Sequence, residues 1–355
     1  MSLRAAIQAE LAALEGTGIR PFDVHAHTGA DVDGTTRTAE EHVEALAAIG
    51  GRSVIFPLCV TGGYEAENRR VIEESRRHPD RLVPFARLDP RVVTSADAAA
   101  ALGAGARGFK LHPRAEDFRL DHPGVEAIAA VAAEARAPVL IHAGAGVGSF
   151  GETIVSLASR HRECPIVLAH AGVSDLVWLG DVAAEHPNLL FDTSWWNPSD
   201  LLALFALVPP GQILFGSDEP YMDLELVLAI ALRCARFAGL AEEALALVFG
   251  GQLDNLLAGS APLDAGPAPG ALPSSRTSAE DRLATLLAAA GGCMLGGGDP
   301  SQILELAGLA VGEGDLRLAG LIEEAGEPSP EAPWAIALAL ALVVAPGVGS
   351  PALTT

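Results

Sequence analysis

The feature that most limits how this chain can fold is a regular alternation of short apolar runs with longer helix-like segments between residues 20 and 220. Each interval has the length of one βα unit, and most runs are apolar on both faces, as in a buried parallel sheet. The runs are Pro21–His25, Ser53–Leu58, Leu82–Leu88, Gly108–His112, Val139–His142, Ile166–His170, Leu189–Thr193 and Ile213–Gly216. They predict an α/β fold, a (β/α)8 TIM barrel, with a doubly wound open sheet as the alternative.

The composition changes after the predicted barrel. Residues 263–277 are rich in Pro, Ala, Gly and Ser, and only short helical patterns follow them. We therefore predict a barrel over residues 1–260, a linker over 261–277 and an all-helical C-terminal extension over 278–355. The extension carries no histidine and no motif that assigns it a function. A packing or oligomerisation module is the simplest interpretation, which leaves a homo-oligomer open.

The charge and the cysteine pattern limit the partners and the compartment. A net charge of −22 argues against binding to nucleic acid or to an anionic membrane. The four cysteines are scattered without a CxxC pair, which is typical of buried apolar thiols in a reducing compartment. The N-terminus lacks a signal-peptide pattern, and the longest apolar run is too short for a membrane span. We therefore expect a cytoplasmic protein that acts on a small molecule.

Polar side chains gather at the C-terminal ends of the predicted strands, where TIM-barrel enzymes place their active sites. Asp23, His25 and His27 alternate along the first strand, so all three share one face. Later strands end in Lys110, His112, His142, His170 and Asp218. Imidazoles and a carboxylate can hold a divalent ion and leave one position open for water. The sequence therefore predicts a metal site at the mouth of the barrel.

Lys110 is the single lysine in a chain with 22 arginines. Because an amine and a guanidinium differ in chemistry, its position at a strand end suggests a function. It could be carboxylated and bridge two metal ions, it could bind a substrate carboxylate, or it could be structural. We favour the substrate-binding role.

The ordered motifs resemble those of the amidohydrolase superfamily, and within it the amidohydrolase-related branch of metal-dependent hydrolases and non-oxidative decarboxylases. The resemblance covers about residues 20–257. It rests on Asp-Val-His-Ala-His, His-Pro-Asp-Arg leading to Ala-Arg-Leu-Asp-Pro, Gly-Phe-Lys-Leu-His-Pro, Ile-His-Ala-Gly, Leu-Ala-His-Ala-Gly, Phe-Asp-Thr-Ser and Phe-Gly-Ser-Asp-Glu-Pro. This set is specific for the branch but not for a substrate.

The resemblance implies roles for individual residues. His25, His27, His142 and Asp218 would hold one divalent metal ion in a zinc-type site, or two ions if Lys110 is carboxylated. His170 would either be a catalytic residue near the substrate or support the metal ligands from behind, and Asp218 could alternatively serve as the general acid or base. Members of the branch differ in whether they use a metal, so a metal-independent reaction stays open.

Further candidates would bind the substrate. His112 shares a strand face with Lys110. Arg87, at the end of the third strand, could bind an anionic group, with a salt bridge to Asp89 as the alternative. Trp195 and Trp196 follow the seventh strand and are predicted to wall the pocket, with packing under a loop as the alternative.

The remaining histidines are predicted to lie at the surface. They are His42, His78, His122, His161 and His186. Asp23 is predicted to orient the start of the first strand.

Taken together, these residues predict a metal-dependent hydrolase. A metal-activated water would attack an amide, ester or lactone carbonyl of a small, carboxylate-bearing substrate. The alternative is a non-oxidative decarboxylase of an aromatic or muconate-like acid at the same site. A non-catalytic ligand-binding barrel is the last alternative.

Overall fold

A parallel sheet forms the centre of the molecule. The computed structural model describes residues 2–14, 16–273, 276–311 and 315–346. Its strands are β1 (Phe22–Ala30), β2 (Thr36–Arg37), β3 (Arg52–Pro57), β4 (Leu82–Pro84), β5 (Ala86–Arg87), β6 (Phe109–Leu111), β7 (Val139–Ile141), β8 (Ile166–Leu168), β9 (Leu189–Asp192) and β10 (Ile213–Leu214). Their hydrogen bonds join β2-β1-β3-β4 in one sheet and β10-β9-β8-β7-β6-β5 in another.

Two connections close these sheets into a barrel. β4 and β5 are parts of one strand interrupted at Phe85, whose N–H donates to the carbonyl of Ile55 at 2.9 Å. On the other side, Val24 N–H donates to the carbonyl of Phe215 at 2.9 Å, and Ala26 forms a parallel bridge with Glu219. Apart from the short antiparallel β2, the described strands are parallel. The predicted TIM barrel is confirmed.

Helices cover the outside of the barrel. They are α1 (Leu3–Leu11), α2 (Ala39–Ala48), α3 (Glu65–Arg77), α4 (Ser95–Ala104), α5 (Pro123–Ala135), α6 (Gly151–Arg160), α7 (Leu176–Ala183), α8 (Pro198–Leu207), α9 (Leu224–Phe237), α10 (Glu242–Ala246) and α11 (Gln252–Leu257). Several begin with side-chain caps: Thr38 and Glu41 form a reciprocal capping box at α2, and Thr94 and Asp97 form one at α4. These caps fix where the chain turns from strand to helix.

The C-terminal extension is helical, as predicted, over its described residues. It consists of α12 (Ser278–Leu295), α13 (Ser301–Val311), α14 (Leu316–Gly326) and α15 (Ala332–Val344). Almost every residue of α15 is buried, because it packs against α12 and α14 on one side and against α1, α8 and α9 on the other. A helix that is apolar all round is stable only when it is enclosed in this way. No described helix combines the length and the apolar character needed to cross a membrane.

Two apolar clusters hold the barrel together. One fills its interior and includes Phe22, Phe56 and Phe85. The other lies between the strands and the helices and continues into the extension, where it includes Leu287 and Leu340. The side chains of the strand ends lie above the interior cluster and are free to form a site.

Two details differ from the sequence interpretation. The first strand continues to Ala30, beyond the predicted end at His25, so His27 lies within regular β structure. All four cysteines are free, but only Cys164 and Cys234 are buried, whereas Cys59 and Cys293 are partly exposed.

Candidate active site

Strand β1 delivers three buried polar side chains to the mouth of the barrel. Asp23, His25 and His27 are each at most 3% exposed. Asp23 accepts hydrogen bonds from the Ser217 N–H at 2.9 Å and from the Ser217 hydroxyl at 2.6 Å. Burial raises the pKa of Asp23 to about 7, although these hydrogen bonds oppose the shift. Asp23 thus ties β1 to the segment that carries Asp218.

Two carboxylates contact the imidazole of His25. Nδ1 lies 2.7 Å from Asp192 Oδ2, and Nε2 lies 3.1 Å from Asp218 Oδ1. Burial and the charge of Lys110 oppose a positive imidazole, yet the two carboxylates raise the pKa of His25 above its ordinary value. A carboxylate on Nδ1 directs Nε2 towards the centre of the site, as for metal-binding histidines in general.

Asp218 stands where the imidazoles meet. Its Oδ1 also lies 3.2 Å from His27 Nε2, and its side chain remains 16% exposed to the cavity. Burial alone would raise the pKa of Asp218, but His25 and His170 hold it well below the usual range. Its backbone is left-handed, with φ of 64°, which is uncommon for a residue other than glycine and frequent at functional sites.

His142 and His170 form a hydrogen-bonded pair beside these groups. His170 Nδ1 donates to the Ser194 carbonyl at 2.7 Å, which leaves Nε2 to accept from His142 Nδ1 at 2.9 Å. In this arrangement His142 Nε2 carries a lone pair, and that buried atom has no partner among the described residues. Burial lowers the pKa of His142 to about 2, so its imidazole is neutral.

These residues fit a divalent cation. Ligand atoms of His25, His170 and Asp218 all lie within 4.8 Å of one another. His27 presents Nε2 to the same centre, 3.2 Å from Asp218 Oδ1, and burial lowers the pKa of His27 to about 3. Unprotonated imidazole nitrogens and an ionised carboxylate are the donors that zinc and similar ions prefer, so binding of an ion would release the proton that the two carboxylates favour on His25. The tight cluster includes His170, whereas the resemblance implied His142 as a ligand.

Lys110 reaches the same centre from strand β6. It is fully buried, and its Nζ lies 3.2 Å from His25 Nε2 and 4.9 Å from the centre of the Phe56 ring. Burial lowers the pKa of the Lys110 amine to about 8, although Asp218 and Asp192 oppose the shift. Its amine is therefore close enough to contact a ligand bound beside the histidines.

Arg87 lines the cavity but is already paired. Its guanidinium donates to Glu116 Oε1 at 2.7 Å and to the Pro57 carbonyl at 3.2 Å. The alternative partner considered from the sequence, Asp89, pairs instead with Arg91 at 2.9 Å. That alternative was wrong because residues 112–118 fold back and bring Glu116 over the strand end, a long-range contact without a local signal.

The site opens into a cavity of about 580 Å³. Its lining includes the predicted residues His25, His27, Arg87, Lys110, His112, His142, His170, Trp195, Trp196 and Asp218. His112 stacks on His142 with ring centres 3.9 Å apart, and Trp195 lies edge-on to His170 at 6.1 Å. The barrel therefore brings together every predicted site residue, while their individual roles remain predictions.

Some residues near the site escaped the sequence analysis. His42 was expected at the surface, but it is fully buried and contacts Glu219, which also binds Arg37. That expectation was wrong because α2 turns His42 towards the segment after Asp218. Asp192 could have been found, since it ends β9 as the other site residues end their strands.

The extension also contributes to the cavity. Leu295 and Trp334 line it, although nothing in their local sequence indicates a site. Arg114, in the loop after β6, lines it as well.

A closed parallel barrel with imidazoles and a carboxylate at its mouth defines a class of TIM-barrel enzymes. A family model described as amidohydrolase matches residues 22–251 of the 355. The chain therefore belongs to the amidohydrolase family, whose members and structural neighbours are enzymes. No curated protein matches the sequence.

Several solved structures share the fold. An amidohydrolase II is 19% identical, with a TM-score of 0.51 over 67% of this chain and 99% of that chain. A 2,6-dihydroxybenzoate decarboxylase in complex with 2,6-dihydroxybenzoate is 15% identical, with a TM-score of 0.52 over 68% and 98%. A 5-carboxyvanillate decarboxylase from Novosphingobium aromaticivorans, complexed with manganese, is 11% identical, with a TM-score of 0.51 over 68% and 97%. At these identities the likeness establishes the fold, and about a third of this chain has no counterpart in them.

Proposed function

We propose that this protein is a metal-dependent hydrolase that cleaves an amide, ester or lactone bond in a small, carboxylate-bearing substrate. One observation carries the proposal: Asp218, an ionised carboxylate open to the cavity, lies within 3.2 Å of the imidazoles of His25 and His27. This combination supplies both metal ligands and a proton acceptor in one place.

His25, His27 and Asp218 would hold the ion together with one imidazole of the His142–His170 pair. An ion held there would supply Lewis-acid chemistry, which activates water and polarises a carbonyl oxygen. Asp218 takes a proton from the attacking water and passes it to the leaving group. Lys110 binds the substrate carboxylate, since its amine lies 3.2 Å from His25 Nε2 and within reach of a bound ligand.

Zinc is the expected ion, because imidazole-rich sets suit it well. We propose a stoichiometry of one ion per chain. Lys110 Nζ approaches a histidine nitrogen, and an amine that binds the substrate carboxylate is not carboxylated, so it does not bridge two ions. Elemental analysis of the purified chain is expected to give a value near one, and His25→Ala/His27→Ala is expected to abolish it. A value near two would assign Lys110 to a carboxylated bridge.

Two single variants separate the ligand from the catalytic histidine. We expect His142→Ala to lose metal and turnover together, since its unpartnered Nε2 has the character of a ligand atom. We expect His170→Ala to keep metal while turnover falls by about 10²–10⁴-fold, the usual contribution of general acid–base catalysis. If His142→Ala kept the metal and His170→Ala lost it, His170 would be the ligand and His142 the catalytic histidine.

A second candidate is a non-oxidative decarboxylase. It is favoured by the tryptophans beside His170, which suit an aromatic acid, and by the names of two structures that share the fold. The decisive experiment incubates the metal-loaded protein with N-acyl amino acids, lactones and hydroxybenzoates, and it measures water incorporation and carbon dioxide. Hydrolysis products support the proposal, and carbon dioxide released without hydrolysis would replace it with the decarboxylase.

A further inference from the structure

We propose that the C-terminal extension is the outer wall of the substrate pocket and selects substrates whose end remote from the histidines is apolar. The inference rests on the proposed function, because it concerns the substrate of the same site. Leu295, at the end of α12, and Trp334, in the first turn of α15, line the cavity that contains His25 and Asp218. Both residues lie beyond the family match, which ends at residue 251.

The wall is continuous from the extension to the histidines. Gly291 of α12 packs so closely on Trp196 that a Cβ at this position would lie 2.9 Å from the indole ring. The ring centres of Trp196 and Trp195 are 6.4 Å apart, and those of Trp195 and His170 are 6.1 Å apart. The indole N–H of Trp195 already donates to Asp200 at 2.6 Å. The indole N–H of Trp195 therefore needs no acceptor from a ligand, and the wall is apolar in character.

The barrel supplies the charged groups of the same cavity. Lys110 is buried beside His25, and the exposed Arg114 forms no ion pair with any described residue. Asp31 and Asp33 line the cavity as well, but their carboxylates accept hydrogen bonds from the Tyr221 hydroxyl and the Thr35 N–H. Among described residues, the extension contributes only Leu295 and Trp334 to the lining. A ligand that satisfies both sets of groups carries an anionic end and an apolar end, since buried charge requires a partner and apolar surface is best removed from water.

The helices that carry this wall lie outside the family match, which ends at residue 251. About a third of this chain is unmatched by solved structures that are themselves covered almost completely. The barrel therefore holds the reacting groups, and the added helices set which substrates fit beside them. Leu295 and Trp334 are specificity-determining residues in this scheme.

The test compares two carboxylates of equal charge, propionate and 3-phenylpropionate, which differ only by a phenyl ring. Their dissociation constants are measured by titration calorimetry with the metal-loaded full chain. We expect 3-phenylpropionate to bind the unaltered protein at least tenfold more tightly. Trp334→Ala and Leu295→Ser should each reduce this preference, by about tenfold for the tryptophan, and should leave propionate binding unchanged.

Two substitutions of the same types serve as controls. Trp178→Ala and Leu309→Ser alter residues that are 41% and 74% exposed and that do not line the cavity. Both are expected to keep the full preference for 3-phenylpropionate. Should Trp334→Ala fail to fold, Leu295→Ser carries the test, because its side chain is 47% exposed and contributes little to the core.

Three results would overturn the inference: no preference or no binding of either probe in the unaltered protein, equal losses for both probes in Trp334→Ala, or the same loss in Trp178→Ala. The proposed function is judged separately, by metal content and hydrolysis products. Hydrolysis without a preference for the phenyl probe would support the proposed function and contradict the proposed wall. A preference for the phenyl probe without hydrolysis would support the wall and contradict the hydrolase proposal.

Discussion

At the scale of single residues, the site depends on charges that are balanced inside the protein. Asp192 holds His25 from one side while Asp218 approaches it from the other. Arg87 and Glu116 form a separate buried pair, with side chains only 2% and 5% exposed. Because buried charges are costly without a partner, removal of any one of these residues leaves the charge of its neighbour uncompensated.

The contact between Asp192 and His25 predicts an effect on metal affinity. Asp192→Asn removes the charge that fixes the imidazole, so we expect metal affinity to fall by about 10–100-fold while the fold persists. A competition titration against a chromophoric chelator measures the change. Asp181→Asn, on the exposed side of α7, is the matched control and should bind metal normally. Equal affinities in the two variants would contradict the role of Asp192.

The buried pair predicts an effect on stability. Arg87→Met leaves the buried Glu116 without its cationic partner and with only the hydrogen bond that the Tyr64 hydroxyl donates at 2.6 Å, so the free energy of unfolding should fall by about 3 kcal/mol. Urea denaturation measures the change. Arg119→Met breaks an exposed pair with Asp121 and should leave the unfolding midpoint where it was. A small effect of Arg87→Met would mean that Arg87 is available to a substrate after all.

At the scale of elements, the sequence predicts the strands well because each is a short apolar run between helix caps. The strand-end rule also predicts which side chains meet, from His25 on β1 to Asp218 after β10. Contacts that depend on loop paths are not predictable in this way. Glu116 reaches Arg87 across 29 residues, and His42 reaches Glu219 across 177.

The loop after β7 must pass very close to the histidine pair. A Cβ on Gly144 would lie 2.8 Å from His170 Cδ2 and 3.3 Å from His142 Cε1. Gly144→Ala should therefore displace the pair, reduce turnover at least tenfold and cost about 1–3 kcal/mol of stability. Assays of turnover and thermal unfolding on one preparation measure both effects.

Gly103 provides the control for this prediction. It lies within α4, and no atom lies within 4 Å of a Cβ added there. Gly103→Ala should leave turnover unchanged and raise stability by about 0.5–1 kcal/mol, as expected for alanine in place of glycine in a helix. Unchanged turnover in Gly144→Ala would show that the pair tolerates the added methyl group.

At the scale of the whole molecule, charge and shape both bear on the substrate. The net charge of −22 repels an anion at long range, whereas Lys110 and Arg114 attract it only at the cavity. The approach of an anionic substrate is therefore opposed until the ligand is close to the site.

This opposition predicts an unusual dependence on salt. For an anionic substrate, kcat/KM should rise by about threefold between 10 and 150 mM ionic strength, because salt screens the long-range repulsion. Steady-state assays at constant pH measure the trend, and a neutral ester of the same acid should show little change. A fall in kcat/KM with added salt would mean that the local cations dominate the approach.

The burial of α15 between the barrel and the extension limits how this protein can evolve. Its apolar surface is shared between the barrel helices α8 and α9 and the extension helices α12 and α14. A gene that ended at the edge of the family match would leave the α8–α9 surface bare, and its product should collect in the insoluble fraction. The pocket wall is therefore coupled to the barrel surface on which it rests, so a lineage that alters this wall must also keep an α8–α9 face that encloses α15.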